Sequence, residues 1–278
     1  MKILVVGLGL IGGSYAASLS NKGHKVYGVD INNESLDYAL NKKWIVSGAS
    51  DAGYFISDMD MIIICLYPKL ILEFLVKYSK YFKEGQIITD VCGVKSSFVE
   101  EATKLAYPAT YLSHHPMAGK EKAGIKYSDS RIFIGANFLI TPFSDNDQAI
   151  EVLKKMAIEM GFGRITVMSP KRHDQMIGFT SQLTHAIAVS LVNSDHDNET
   201  KNFIGDSYRD LTRIAMINES LWSELFLENK EALLTHIESF ENELNVLKNA
   251  LYEDDKDRLN ELFRSSTKIR KEMEKWEN

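Results

Sequence analysis

Cysteine is nearly absent from this chain of 278 residues; Cys65 and Cys92 stand alone and in no metal-ligand spacing. That excludes a disulfide framework or a cysteine-built zinc site and suits reduced thiols in the cytoplasm. Proline is scarce, with five residues, and none follows Pro170, so long helices can run unbroken beyond it. No stretch approaches the roughly eighteen consecutive apolar residues of a membrane span. Basic residues are not in excess: 32 Lys and Arg stand against 38 Asp and Glu, a net charge of −6. Neither nucleic acid nor an anionic membrane is therefore expected as partner. There is no internal repeat and no low-complexity segment. Apolar residues make up 45% of the chain, ordinary for a globular protein of one large or two average domains.

What is present begins at the N-terminus. The apolar run Lys2-Ile3-Leu4-Val5-Val6 reads as a strand and leads into Gly7-Leu8-Gly9-Leu10-Ile11-Gly12. A second apolar run, Lys25 to Val29, ends at Asp30. This is a dinucleotide-binding fingerprint in its expected context. Gly7 permits the tight turn, Gly9 lets backbone approach a pyrophosphate, and Gly12 lets the following helix pack on the sheet. The helix N-terminus offers free N–H groups to phosphate. Asp30 suits ribose hydroxyls and repels a 2′-phosphate, and Ile31-Asn32-Asn33 brings no arginine, so NAD is favoured over NADP. A secretory signal competes for the same residues (Lys2, an apolar stretch, Ala16-Ala17-Ser18), but glycines would interrupt its apolar core and Asp30 would have no role.

Strands and helices alternate up to residue 168. Met61–Cys65, Gln86–Asp90, Tyr111–Ser113, Phe133–Thr141 and Arg164–Met168 read as strands; 70–81, 96–105 and 147–160 read as helices. The class is α/β, a Rossmann doubly wound sheet over 1–168. Ser169-Pro170 then opens a helix, with serine at the N-cap and proline at the first helical position. The rest reads as an all-α domain over 169–278, with an apolar stripe along 225–251 and a charged helix over 254–276. Such stripes point to a homodimer, against the simpler alternative of a monomeric bundle.

Ligands bind Rossmann sheets at the carboxyl ends of the strands. The loops there begin Leu66-Tyr67-Pro68, Asp90-Val91-Cys92-Gly93-Val94-Lys95-Ser96 and His114-His115-Pro116-Met117-Ala118-Gly119-Lys120-Glu121. They are expected to line one cleft, with Leu66 and Asp90 on the cofactor. A histidine in the third loop can take a proton from a substrate hydroxyl as hydride leaves its carbon; the bland alternative is a structural histidine. In the helical part, Ser181-Gln182-Leu183-Thr184-His185 places Ser181 and His185 on one helix face. Arg209 and Arg213 share the same spacing. Two guanidiniums on one face suit a dicarboxylate substrate, whereas a solvated face paired with Asp206 or Asp210 is the plainer reading.

Taken together, Gly7 to Ser14, Thr89-Asp90-Val91 with Val94-Lys95, His115-Pro116-Met117-Ala118-Gly119, His173-Asp174, Ser181 with His185, and Thr212-Arg213 resemble the prephenate/arogenate dehydrogenase family along nearly the whole chain. The resemblance implies a Rossmann domain followed by a helical dimerisation domain, NAD as cofactor, and oxidative decarboxylation of prephenate to 4-hydroxyphenylpyruvate on the route to tyrosine, or of arogenate to tyrosine. It implies that His115 is catalytic, that Arg213 binds a substrate carboxylate with Arg209 as a basic neighbour, and that His185 lies near the side-chain end of the substrate. Ser181, Gln182, Lys120 and Glu121 join the expected substrate shell; no metal is required. Two departures stand out: Gly93 occupies the position where many relatives carry a serine that binds the ring hydroxyl, and Lys120-Glu121 stands where some relatives have threonine before a glutamate. Another β-hydroxyacid or imine dehydrogenase and a non-catalytic NAD-binding protein are the competing readings. Any tyrosine feedback is expected to act at or near the active site.

Overall fold

The computed structural model describes residues 1–120, 122–144 and 146–274. Six strands form a parallel sheet in the order β3-β2-β1-β4-β5-β6. They are β1 (Lys2–Val6), β2 (Lys25–Val29), β3 (Ser47–Ala49), β4 (Met61–Ile64), β5 (Ile87–Asp90) and β6 (Thr110–Tyr111). Four helices, α1 (Leu10–Asn21), α2 (Asn33–Asn41), α3 (Pro68–Tyr78) and α4 (Val99–Ala106), connect most of them. Side chains alternate across each strand, so Ile3 and Val5 enter one apolar core with α1 and α2 while Leu4 and Val6 enter the other with α3 and α4. The order of strands reverses between β1 and β4, which puts the glycine turn after β1 at the sheet's switch point.

The expected strand over 111–113 is two strands. Leu112 still donates its amide to Ile88 O at 2.9 Å, and the chain then leaves the large sheet. β7 (Ser113–Pro116) pairs antiparallel with β8 (Asn137–Thr141), which pairs parallel with β9 (Arg164–Val167) after helix α5 (Asp147–Met160). The apolar run that read as a strand from Phe133 begins with a 3₁₀ turn at 130–133, and the ladder starts only at Asn137.

Ser169 caps α6 (Pro170–Ile177), its side chain accepting from Arg172 N, with proline at the first helical position as expected. A π-helical turn, Gly178–Gln182, joins α6 to α7 (Leu183–Asn193). Then come α8 (Asp206–Thr212), a 3₁₀ turn Arg213–Ala215, and α9 (Glu219–Glu228). The long helix expected over 225–251 is broken at Asn229, after which α10 runs Lys230–Tyr252 and α11 runs Lys256–Glu274. The backbone groups into two compact units, Met1–Lys230 and Glu231–Asn278, so α6 to α9 group with the sheets. Among the described residues no helix is long and apolar enough to cross a membrane.

Candidate functional site

The glycine turn has the shape its sequence requires. Gly7 sits at φ +87°, and a Cβ there would lie 2.6 Å from Cys65 O, with Leu66 Cδ2 at 3.0 Å. A Cβ on Gly12 would collide with the Gly7 carbonyl oxygen. Gly9, which caps α1, has no atom within 4 Å of the position a Cβ would take. The turn is thus closed on its protein side and open at Gly9, with Leu10 and Ile11 starting the helix, whose first amides have no acceptor within the helix. At the end of β2, Asp30 accepts from Leu8 N at 2.6 Å and from Asn32 N at 2.8 Å. A carboxylate has about four acceptor sites, so both oxygens keep capacity for hydroxyl donors. These residues fit a dinucleotide with a free ribose diol.

Asp90, expected on the cofactor, is fully buried instead. It pairs with Lys95 Nζ at 2.8 Å, accepts from Tyr111 Oη at 2.7 Å and from Cys92 N at 2.9 Å. Burial alone would raise its carboxyl pKa; the Lys95 charge and these hydrogen bonds outweigh that and hold it below its ordinary value. Lys95, equally buried, also donates to His114 O at 2.8 Å, so this ion pair anchors the strand that carries the histidines. The Ser113 hydroxyl lies beside the same carboxylate but out of hydrogen-bonding geometry.

The two histidines of β7 separate in role because successive side chains face opposite ways. His114 is fully buried, between Thr89 Oγ1 at 2.6 Å and Tyr15 Oη at 2.7 Å, and stacks on Phe138. Burial, with the Lys95 charge adding to it, pushes its pKa down to about 3, so it is a neutral structural residue. His115 is only half-buried. Its Nδ1 lies 3.0 Å from His173 Nε2, and His173 Nδ1 lies 2.8 Å from Asp174 Oδ1. Asp174 in turn accepts from the amides of Lys95 at 2.9 Å and Ser96 at 2.7 Å. The His115 ring is set deep enough that desolvation, helped by His173, Lys95 and His114, depresses its pKa well below the usual histidine value. His115 is therefore a neutral imidazole with Nε2 unengaged among the described residues. The lone pair on Nε2 is thus available to accept a proton, the first requirement of a general base. His173 and Asp174 belonged to the resemblance without an assigned role, and nothing in their spacing from residue 115 signals that they meet it.

Gly93 faces this histidine: a Cβ would lie 3.8 Å from His115 Cε1 and 3.6 Å from Leu225 Cδ2. Among the helical residues, His185 donates from Nδ1 to Ser181 O at 2.9 Å and stacks on Trp222 with centroids 3.7 Å apart. Ser181 lies within the π turn, so the expected helical face is a wider loop of helix there. Gln182 is buried and its amide is engaged at both ends: it donates to Leu225 O and accepts from Asn229, which also donates to Asp174 O. Its place is in the packing that supports Asp174, not on a substrate surface. Arg209 and Arg213 are not a matched pair on one helix: α8 ends at Thr212 and Arg213 starts the next turn. Arg209 pairs with Asp206 at 2.6 Å on an exposed face, the plainer of its two readings. Arg213's turn packs against α7, the helix of His185.

Lys120 goes elsewhere. It lies 3.6 Å from Asp129, which also holds Arg131, and it lines a hollow of about 480 Å³ with Lys42, Trp44 and Tyr127. No other expected site residue lines that hollow. Glu121 lies outside the described residues. Among the described residues no three His, Cys, Asp or Glu side chains are grouped to hold a metal ion.

The comparisons with known proteins converge on the same pairing of parts. A family model described as prephenate dehydrogenase, nucleotide-binding domain, matches residues 15–166, and one described as prephenate dehydrogenase, dimerization domain, matches 169–265. A prephenate dehydrogenase of Lactococcus lactis is 30% identical over 98% of this chain and 77% of its own. A crystal structure of prephenate dehydrogenase from A. aeolicus with hydroxyphenyl propionate and NAD+ superposes with a TM-score of 0.89, at 31% identity and 98% coverage of both chains. A Synechocystis arogenate dehydrogenase structure superposes at 0.85, with 26% identity, over 98% of this chain and 100% of that one. A glycine turn built to receive a dinucleotide, a neutral strand-end histidine and family matches across both halves leave one conclusion: the chain belongs to the prephenate/arogenate dehydrogenase family.

Proposed function

We propose that this chain is an NAD-dependent prephenate dehydrogenase that forms 4-hydroxyphenylpyruvate, with His115 as the base. The observation that carries this reading is His115 itself: a neutral, half-open imidazole with one nitrogen held from behind and the other unengaged. When bound, the dinucleotide supplies the hydride acceptor. His115 takes the C4 hydroxyl proton and returns it to the same oxygen as carbon dioxide leaves and the ring becomes aromatic, so no net proton is consumed. Arg213 holds the carboxylate of the pyruvyl side chain, away from the departing ring carboxylate, whose loss a nearby cation would oppose. His185, stacked on Trp222, borders the side-chain end.

NAD is favoured over NADP by Asp30, and the A. aeolicus relative was crystallised with NAD+. Our reading sets the functional division at 168/169, supported by family-model matches over 15–166 and 169–265. A homodimer is favoured because α10 and α11 leave Leu244, Phe263 and Ile269 open; light scattering should give twice the chain mass. The unpaired thiols suit the cytoplasm.

Arogenate is the second reading, supported by the Synechocystis likeness. Initial rates of reduced dinucleotide formation, with prephenate and arogenate each paired with NAD and NADP, test both readings. The expected result is highest kcat/KM for prephenate with NAD. His115→Asn should lower kcat by about 10²-fold or more; unchanged turnover overturns the assignment.

A further inference from the structure

We propose that His173, held by Asp174, is a positioning residue that fixes His115 as the Nδ1–H tautomer and so makes Nε2 the nitrogen that takes the substrate proton. The inference deepens the reading of His115 as base and rests on it.

Asp174 accepts two backbone amides, from Lys95 and Ser96, and has no proton of its own to give. The contact of 2.8 Å between Asp174 Oδ1 and His173 Nδ1 therefore needs the proton on Nδ1. Burial holds the His173 pKa below the ordinary histidine value in spite of Asp174, so the ring is neutral; a neutral imidazole carries only one N–H, and His173 Nε2 is an acceptor. The next contact, 3.0 Å to His115 Nδ1, must then be donated by His115. The one proton of neutral His115 is thereby committed to Nδ1, and Nε2 is left with its lone pair. Each histidine's protonation site follows from its neighbour, and the sequence begins at a carboxylate held by two amides, of Lys95 and Ser96, in the loop between β5 and α4.

The surroundings make this order hard to reverse. His173 is fully buried, and Asp174 is nearly so. Inverting the chain would turn an N–H away from the carboxylate and leave a bare ring nitrogen facing an anion, in a place water does not reach. Asn229 donates to the Asp174 carbonyl and so fixes the helix turn from its other side. When Nε2 takes a proton, the positive ring is backed by the His173 lone pair and, beyond it, by the Asp174 charge. Neither His173 nor Asp174 touches the substrate in this scheme; both act through His115.

The test reads the tautomer directly. In protein labelled with ¹⁵N at histidine, long-range ¹H–¹⁵N spectra of the substrate-free chain distinguish Nδ1–H from Nε2–H rings, with His115 assigned by comparison with His115→Asn. The native protein should show His115 protonated at Nδ1 with Nε2 bare. His173→Leu should release it to a mixture of tautomers and lower kcat by about 10²-fold with KM for prephenate within about twofold. His173→Gln, whose carbonyl can accept Nδ1–H, should restore the tautomer and recover about tenfold of kcat. A native His115 protonated at Nε2, or a tautomer unmoved in His173→Leu, overturns the proposal. The native spectrum needs no variant to fold and no turnover. It therefore fails separately from the reading of His115 as base, which fails if His115→Asn leaves turnover unchanged.

Discussion

Lys95 and Asp90 form an ion pair of 2.8 Å in which neither side chain has any exposed surface. Removing one partner of such a pair leaves the other charged in a medium that cannot solvate it, at about 3–5 kcal/mol. Here Lys95 also holds the His114 carbonyl, so the loss reaches the histidine strand. Lys95→Met should lower unfolding free energy by about that amount in urea titration. A change under about 1 kcal/mol would show that Asp90 takes up a proton cheaply and that the pair is not what fixes β7.

Acid should unfold this protein through its histidines before its carboxylates. His114 titrates near 6.5 when unfolded and at about 3 when folded. The unfolded chain therefore binds the extra proton between those values, so stability rises with pH across that window and is lost as pH falls through it. The slope is about 1.4 kcal/mol per pH unit for one such group. His115 and His173 are depressed in the same direction and add to it. Asp90 and Asp174 act lower, their stabilisation disappearing only as pH drops below the ordinary aspartate value. In a series of urea titrations from neutral pH downward, His114→Asn should be less stable overall but with a slope flatter by about 1.4 kcal/mol per unit. An unchanged slope would mean that His114 is not neutral in the fold.

The glycine turn separates folding from ligand binding. A methyl at Gly12 meets the Gly7 carbonyl, whereas a methyl at Gly9 meets nothing. Gly12→Ala should thus lower the melting temperature by several degrees, as about 1–3 kcal/mol of overpacking would. Gly9→Ala should leave melting unchanged and weaken NAD binding about tenfold or more, because the methyl occupies the space a pyrophosphate approaches. Calorimetric titration with NAD and a thermal scan on each variant decide it. Equal NAD affinity in Gly9→Ala and the native chain would place the pyrophosphate elsewhere.

What could be read from the residues follows from the range of the interactions involved. The glycine turn, the Ser169-Pro170 cap and the buried strands β1, β2, β4 and β5 depend on neighbours within a few positions, and the structure has them where the pattern puts them. The split between β6 and β7 depends on which sheet the residues after Leu112 pair with, a long-range choice that a single apolar run does not encode. The π turn at Gly178–Gln182 is likewise invisible to a 3.6-residue period. His114 and His115 are adjacent and chemically identical, and only the alternation of the strand decides that one is walled in by Tyr15 and Thr89 while the other meets His173. The Arg209 pairing with Asp206 is a local i,i+3 contact and could be named in advance as an alternative; the position of Lys120 beside Asp129 rests on a loop and could not.

Gly93 is where this chain departs from the serine expected in that loop, and the structure has room there for a side chain. It is not in a left-handed conformation, and a Cβ there makes only ordinary contacts, with Leu225 at 3.6 Å and His115 Cε1 at 3.8 Å. Cε1 lies between the two ring nitrogens, so a hydroxyl one bond further out would stand beside the His115 ring. Gly93→Ser should fold normally and add one hydrogen bond to the ring hydroxyl, worth about 0.5–1.5 kcal/mol and hence about twofold to tenfold in kcat/KM for prephenate. Gly93→Ala supplies the same bulk without the hydroxyl and should match the native enzyme or fall slightly below it. If serine and alanine behave alike, the hydroxyl finds no partner there, and the native chain orients the substrate oxygen through His115 alone.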